Sequence, residues 1–299
     1  MAITFGTKNV TGEPCAVGDE PRVNRFACVL CKATRSWHCE VMVDVQTSAG
    51  VVGVAVAGEG RTPILFLHGV GSDKGVWAGQ LDHFGQERAA IAIDYPGYGE
   101  SEFIPDATRE DFARAAWAAL DALHVTKAHI CGLSLGGIVA MAMYAIAPQR
   151  CASLIIADSF AKHPDGQAIY DRSVAASIDM RSLAAARVGA LLLAQDAETR
   201  ATVIDTMGAI DPEAYKLGAR AVWLADQAAI APTIEVPTLV LVGDQDPVTP
   251  PALSEDLARL IPDARLEILA GASHLANLDK PAEFNRAIDD FLSAVERRG

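Results

Sequence analysis

The sequence is short of aromatic residues, short of positive charge, and nearly without cysteine beyond its first stretch. Aromatics are 6% of the 299 residues. Lys and Arg number 25 against 38 Asp and Glu, a formal charge of −13. So acidic a surface repels phosphate backbones and anionic lipid, which argues against a nucleic-acid or membrane-surface partner. It reads as a solubility feature, and an anionic substrate would need a local Arg or Lys set against the global field. Of six cysteines, Cys15, Cys28, Cys31 and Cys39 precede residue 42, leaving only Cys131 and Cys151 beyond it. The body of the chain is therefore not expected to be held by disulfides, which suits a reducing, cytoplasmic setting. There is no charged start followed by an apolar core of signal-peptide length.

Charge is also missing from Ala128 to Pro148, where no Asp, Glu, Lys or Arg occurs. That is long enough to cross a bilayer. Yet the stretch begins with β-type residues, breaks at Gly132 and carries Gly136-Gly137 in its middle, so a buried strand, a sharp turn and a buried helix are expected instead.

What is present is a 51% apolar chain with short hydrophobic runs at regular intervals. Val41–Thr47 and Val51–Ala57 read as two strands joined by a turn at Ser48-Ala49-Gly50. Ile64–Leu67, Ala89–Ile93, Ala128–Cys131, Ser153–Ala157, Thr238–Val242 and Leu266–Leu269 read as six more. Runs without polar alternation suit strands covered on both faces, hence a mostly parallel sheet of eight strands. Helices are expected at Asp111–Leu123, Ile138–Ala147, Leu253–Ile261 and Pro281–Val295. The alternation defines an α/β, doubly wound architecture.

Two stretches stand apart. Between about 160 and 235 the strand signal vanishes and an Ala-rich, helix-permissive stretch carries Arg172, Arg181, Arg187, Arg200 and Arg220. It falls between two core strands, so it is expected to be a helical cap over the sheet's carboxyl edge, within a domain spanning 42–299. Residues 1–41 show no period and are expected to be a poorly ordered extension. Cys28, Cys31, His38 and Cys39 have zinc-type ligand chemistry, but no second pair completes a standard spacing. A disordered extension, or translation starting at Met42, accounts for the segment better, and no metal or organic cofactor is expected.

Open α/β sheets bind ligands beyond the carboxyl ends of their strands. The pentapeptide Gly132-Leu133-Ser134-Leu135-Gly136 falls between a strand and a helix. A serine there must adopt a strained backbone to project its hydroxyl, and the flanking glycines leave room for so tight a turn. Outside that context the same pentapeptide would be only a Gly-rich turn. A serine hydroxyl needs a base, and that base needs a carboxylate to fix its tautomer. Asp246 lies just past the strand ending at Gly243, where a side chain can turn toward the site. Asp244 at the strand end is better placed to hold the loop, and Asp158 is an outside candidate for the acid. His274 lies on the loop before the last helix. Of seven histidines it alone follows Asp246, giving the order Ser134, Asp246, His274. The oxyanion donors are expected to be the backbone N–H groups of Leu135 and Val70, the latter in His68-Gly69-Val70-Gly71. His68 is read as ordering that loop, Asp94 as structural, and Tyr98 as a candidate pocket residue.

These residues carry a family resemblance. His68-Gly69, the run Asp94–Ser101, the Gly132–Gly136 elbow and the Asp246 and His274 loops resemble the α/β-hydrolase superfamily over residues 42 to about 295. Val236–Val240 running into Asp246–Pro251, with Ser273–Asn277 and Lys280-Pro281, most resembles the 3-oxoadipate enol-lactonases. The resemblance implies a cytoplasmic serine hydrolase opening an enol-lactone ring in aromatic catabolism, acting on a small ester or lactone without cofactor. A homodimer is left open. A broad carboxylesterase, a cofactor-free haloperoxidase and a C–C bond hydrolase are alternatives on the same fold, and Leu133, where a C–C hydrolase would have Asn, argues against the last. A non-catalytic ligand receptor is a further alternative. A 3-oxoadipate enol-lactone carries a carboxylate, which wants an arginine. Nothing in the sequence says which of the five cap arginines points inward.

Overall fold

The computed structural model describes residues 41–193 and 196–297. Residues 1–40, with the Cys28, Cys31, His38 and Cys39 set, lie outside the described residues. Eight strands form one sheet in the order β1-β2-β4-β3-β5-β6-β7-β8. They are β1 Val41–Thr47, β2 Gly50–Ala57, β3 Arg61–Leu67, β4 Arg88–Ile93, β5 Ala128–Leu133, β6 Cys151–Ala157, β7 Thr238–Gly243 and β8 Arg265–Leu269. Only β2 runs against its neighbours, pairing antiparallel with both β1 and β4. β3 to β8 pair in parallel. The burial agrees with the unbroken apolar runs: every residue of β5 and β7 is buried.

The strand order reverses at β3. The chain steps one way from β3 through α1 (Ala78–Phe84) to β4, then back across β3 through α2 (Arg109–Ala122) to β5. Because parallel crossovers are right-handed, opposite steps put their helices on opposite faces. α1 therefore covers one face, while α2, α3 (Leu135–Ile146) and α8 (Pro251–Leu260) cover the other. The closing helix α10 (Pro281–Glu296) joins α1, with the Trp77 and Phe284 rings 6.0 Å apart and Gln80 donating to Asn285 at 3.0 Å. On the other face the Trp117 indole donates to the Met143 carbonyl at 3.1 Å. The reversal leaves a crevice at the carboxyl ends of β3 and β5, and it brings Leu67 level with Gly132.

The charge-free stretch is β5 followed by α3, as its glycines suggested, and no helix among the described residues is long and apolar enough to cross a membrane. Cys131 and Cys151 are buried and free. Burial pushes the Cys151 thiol up to about 12 and also raises Cys131, so both stay protonated. Between β6 and β7 stand four helices, α4 (Gly166–Ala176), α5 (Met180–Leu191), α6 (Ala197–Ala209) and α7 (Pro212–Trp223). A short α9 (Ala276–Asp279) precedes α10. α1 and α9 have no counterpart in the sequence reading. At seven and four residues they are too short to show a helical period.

Candidate active site

Ser134 sits where β5 turns into α3, with φ 55° and ψ −114°. A non-glycine residue in that region is strained and persists only where its surroundings over-determine it. Hydrogen bonds of its backbone groups do so here, three of them at 3.0 Å or less. The Ser134 N–H donates to the Ala157 carbonyl at 2.8 Å. Its own carbonyl accepts from the Gly137 N–H at 3.0 Å and from the Ser159 hydroxyl at 2.8 Å. The flanking glycines are needed for space: a Cβ on Gly132 would strike the Gly136 carbonyl, and one on Gly136 the Leu67 carbonyl.

His274 and Asp246 converge on this turn. His274 Nε2 is 3.0 Å from Ser134 Oγ, and its Nδ1 is 2.8 Å from Asp246 Oδ2. All three residues are buried, at 4% exposure or less. Asp246 Oδ1 accepts from the Val248 and Thr249 N–H groups at 2.7 and 3.0 Å, and Oδ2 also accepts from the Thr249 hydroxyl at 2.6 Å. Burial pushes the Asp246 carboxyl up, but attraction to His274 and the bonds from His274 and Thr249 outweigh it and hold it below the usual value. Sequence reasoning alone assigns Thr249 no role. Its position three residues after the Asp, on a tight turn, is the signal for such a bond.

The loop after β3 passes beside Ser134: a Cβ on Gly69 would lie 3.5 Å from Ser134 Cβ. His68 is fully buried, with Nδ1 2.8 Å from the Gly69 carbonyl, while the Tyr95 N–H donates to Nε2 at 3.4 Å. That pairing requires the Nδ1–H tautomer, and burial keeps the ring neutral by lowering its pKa. The far end of the loop is pinned by Lys74, whose backbone N–H and ammonium both donate to Asp94, at 2.8 and 2.7 Å. Glu100 is a second partner of that ammonium. Tyr98 does not line the cavity. It is fully buried, and its hydroxyl donates to the Val70 carbonyl at 3.3 Å, so it braces the loop from behind. The Val70 and Leu135 N–H groups donate to no other group among the described residues.

The two other aspartates separate cleanly. Asp244 Oδ1 accepts from the Gly271 N–H at 2.7 Å, which ties the acid loop to the histidine loop. Asp158 is fully buried; Oδ1 accepts from the Gly243 N–H at 2.9 Å and Oδ2 has no partner. Burial, with repulsion from Asp246, raises its pKa well above the ordinary range. A carboxyl bound more tightly by its proton when folded contributes its full stability below the unfolded pKa and loses it as pH rises toward the folded one. Asp158→Asn is therefore expected to gain on the wild type as pH rises from about 4.5 to 7.5, by up to about 1.4 kcal/mol per pH unit. Thermal unfolding of both proteins across that range checks this. A difference that stays flat with pH would mean Asp158 is ionised in the folded protein.

Ser134 and His274 open into a cavity of about 540 Å3 lined also by Gly69, Val70, Arg187, Met207 and Trp223. Met207, Trp223 and Arg187 come from the helices between β6 and β7. The histidine loop is bound to that insertion. The Leu275 N–H donates to the Leu191 carbonyl at 2.8 Å, and the Ser273 hydroxyl to the Ala190 carbonyl at 3.0 Å. Asp279 accepts from the Leu193 and Ser273 N–H groups at 2.9 and 2.8 Å.

A family model for the alpha/beta hydrolase fold matches residues 62–281, and the chain belongs to that family. Among its relatives is 3-oxoadipate enol-lactonase 1 of Acinetobacter baylyi, 27% identical over 243 residues, covering 80% of this chain and 91% of that protein. A thermophilic esterase of Thermogutta terrifontis has a similar structure, with a TM-score of 0.77 at 27% identity over 85% of this chain and 98% of that one. The enol-lactonase of Burkholderia xenovorans LB400 superposes with a TM-score of 0.78 at 24% identity, over 84% and 99% of the two chains, a likeness of fold.

Proposed function

We propose that the protein is a serine hydrolase of small lactones or esters, with Ser134, His274 and Asp246 as its triad and an enol-lactone as the preferred substrate class. The observation that carries this reading is the unbroken chain from Asp246 through His274 to Ser134 Oγ at 2.8 and 3.0 Å, beside two unengaged backbone donors. His274 Nε2 takes the hydroxyl proton as Oγ attacks the carbonyl carbon, and Asp246 stabilises the imidazolium. The oxyanion forms against the N–H groups of Val70 and Leu135. Collapse expels the alkoxide or enolate, which takes the proton from His274. In a lactone that group stays attached to the acyl chain. A water deprotonated by His274 then releases Ser134.

The insertion between β6 and β7 acts in this reading as a cap that selects the substrate, since three of its four helices, α5, α6 and α7, supply much of the cavity wall. A cavity of this size suits a small acyl group. The similarity to an Acinetobacter enol-lactonase supports the lactone, and the similarity to a Thermogutta esterase favours open-chain esters as the second reading. A fluorophosphonate probe is expected to label wild-type protein at Ser134, identified by peptide mass. An enol-lactone is expected to be turned over at least tenfold faster, in kcat/KM, than an open-chain ester of the same acid. Label without lactone turnover selects the esterase. Absence of label removes the hydrolase reading in favour of a ligand receptor.

A further inference from the structure

The five arginines between β6 and β7 have different fates. Arg220 donates to the Asp106 and Ala107 carbonyls. Arg181 pairs with Asp205 on the surface, and Arg200 donates to the Leu192 carbonyl. Arg172 lines a separate, smaller pocket with Pro247 and Val248. Arg187 alone among them lines the cavity that holds Ser134 and His274, and no Lys joins it there among the described residues. Its Nη1 donates to the hydroxyl of fully buried Tyr215 at 3.0 Å. That partner is neutral, and no carboxylate among the described residues lies within ion-pair distance. Three acids line the same cavity, but they are engaged or exposed. Asp73 accepts from the Gly75 N–H at 2.8 Å and Asp196 from the Thr199 N–H at 2.7 Å, each holding the start of its own helical turn, while Glu198 is exposed. A guanidinium oriented by a neutral hydroxyl in the wall of the cavity that holds Ser134 is a fork without its carboxylate.

Its placement is also fixed. Arg187 is on α5, one turn before Ala190 and Leu191, whose carbonyls hold the loop that carries His274. The cation and the catalytic base therefore belong to one hydrogen-bonded unit. We propose that Arg187 receives a carboxylate carried by the substrate, at a set distance from the carbonyl that Ser134 attacks. This rests on the hydrolase reading above and adds to it a required charge and a required length.

The test compares mono-p-nitrophenyl esters of adipic, pimelic and suberic acids with p-nitrophenyl hexanoate, subtracting the Ser134→Ala background. Wild-type protein is expected to favour one of the charged esters over the neutral one by roughly 10- to 100-fold in kcat/KM, the worth of a hydrogen-bonded charge. In Arg187→Met that ratio is expected to fall to about one or below, with Arg187→Lys between. The ratio is the readout because general damage to the site cancels in it. A calorimetric titration of adipate into Ser134→Ala protein, with and without Arg187→Met, reads the same contact without turnover. Equal ratios in wild type and Arg187→Met, with equal adipate binding, overturn the proposal and leave the hydrolase standing. Adipate binding that Arg187→Met abolishes, in a protein whose Ser134 turns over none of the esters, keeps the anion site and removes the hydrolase.

Discussion

Ser134→Ala is expected to lower kcat on any ester or lactone that the wild type hydrolyses by roughly 10^4- to 10^6-fold, the range for removing the nucleophile from a triad. The fold is expected to survive. The bonds that hold residue 134 in its strained turn use its backbone N–H and carbonyl, which alanine retains. Alanine also tolerates the positive φ no worse than serine does. The variant's melting temperature should stay within a few degrees of wild type, and its binding of a slow substrate or product should persist. Activity above a tenth of wild type in a folded variant would put the nucleophile elsewhere.

The second large effect concerns the acid. Asp246→Asn should lower kcat by roughly 10^4-fold, by reversing a proton rather than by disrupting structure. Asp246 Oδ1 accepts two backbone N–H groups, so the amide oxygen of asparagine must occupy that position. Its NH2 then falls where Oδ2 stood and donates to His274 Nδ1. The imidazole is driven to the tautomer with its proton on Nε2, facing Ser134, where it can no longer accept one. Fluorophosphonate labelling of Ser134 should slow in parallel, while the melting temperature moves little. If Asp246→Asn keeps more than a tenth of wild-type kcat, another carboxylate serves His274. Asp158 is then the first to test, although burial and repulsion from Asp246 raise its pKa and disfavour the carboxylate that His274 would need.

The features visible in the sequence were those written in a few consecutive residues. Unbroken apolar runs located the central strands, such as β5 and β7, because a strand covered on both faces has no polar positions to confuse the pattern, while β1 and β8 at the sheet's edges were found despite Asp44, Gln46 and Glu267. Ser134, Asp246 and His274 stood out because each follows a strand, and all parallel strands end on the same edge. The features that stayed hidden depend on what lies opposite. Tyr98 looked suited to a pocket wall, yet it is covered on all sides beneath Val70, and an aromatic beside a glycine turn reads the same in either place. Arg187 was indistinguishable from four other arginines because α5 is Ala-rich, with exposed and buried positions of similar composition. The link from Asp279 to Leu193 joins residues 86 apart and leaves no local mark.

The insertion between β6 and β7 has further meaning for how such proteins diverge. Its two ends run straight into β6 and β7, which pair in parallel from Leu154 beside Thr238 to Ala157 beside Leu241, so the sheet holds both ends whatever chain runs between them. Lengthening or exchanging a segment so anchored costs little, because closure entropy grows only with the logarithm of its length. A graft from another hydrolase could therefore bring a new preference wholesale. It would succeed only if it offers carbonyls where Ala190 and Leu191 now meet Ser273 and Leu275. Without them the borrowed segment could fold and still leave the base unsupported. Those few atoms set the terms on which this scaffold can trade one substrate for another.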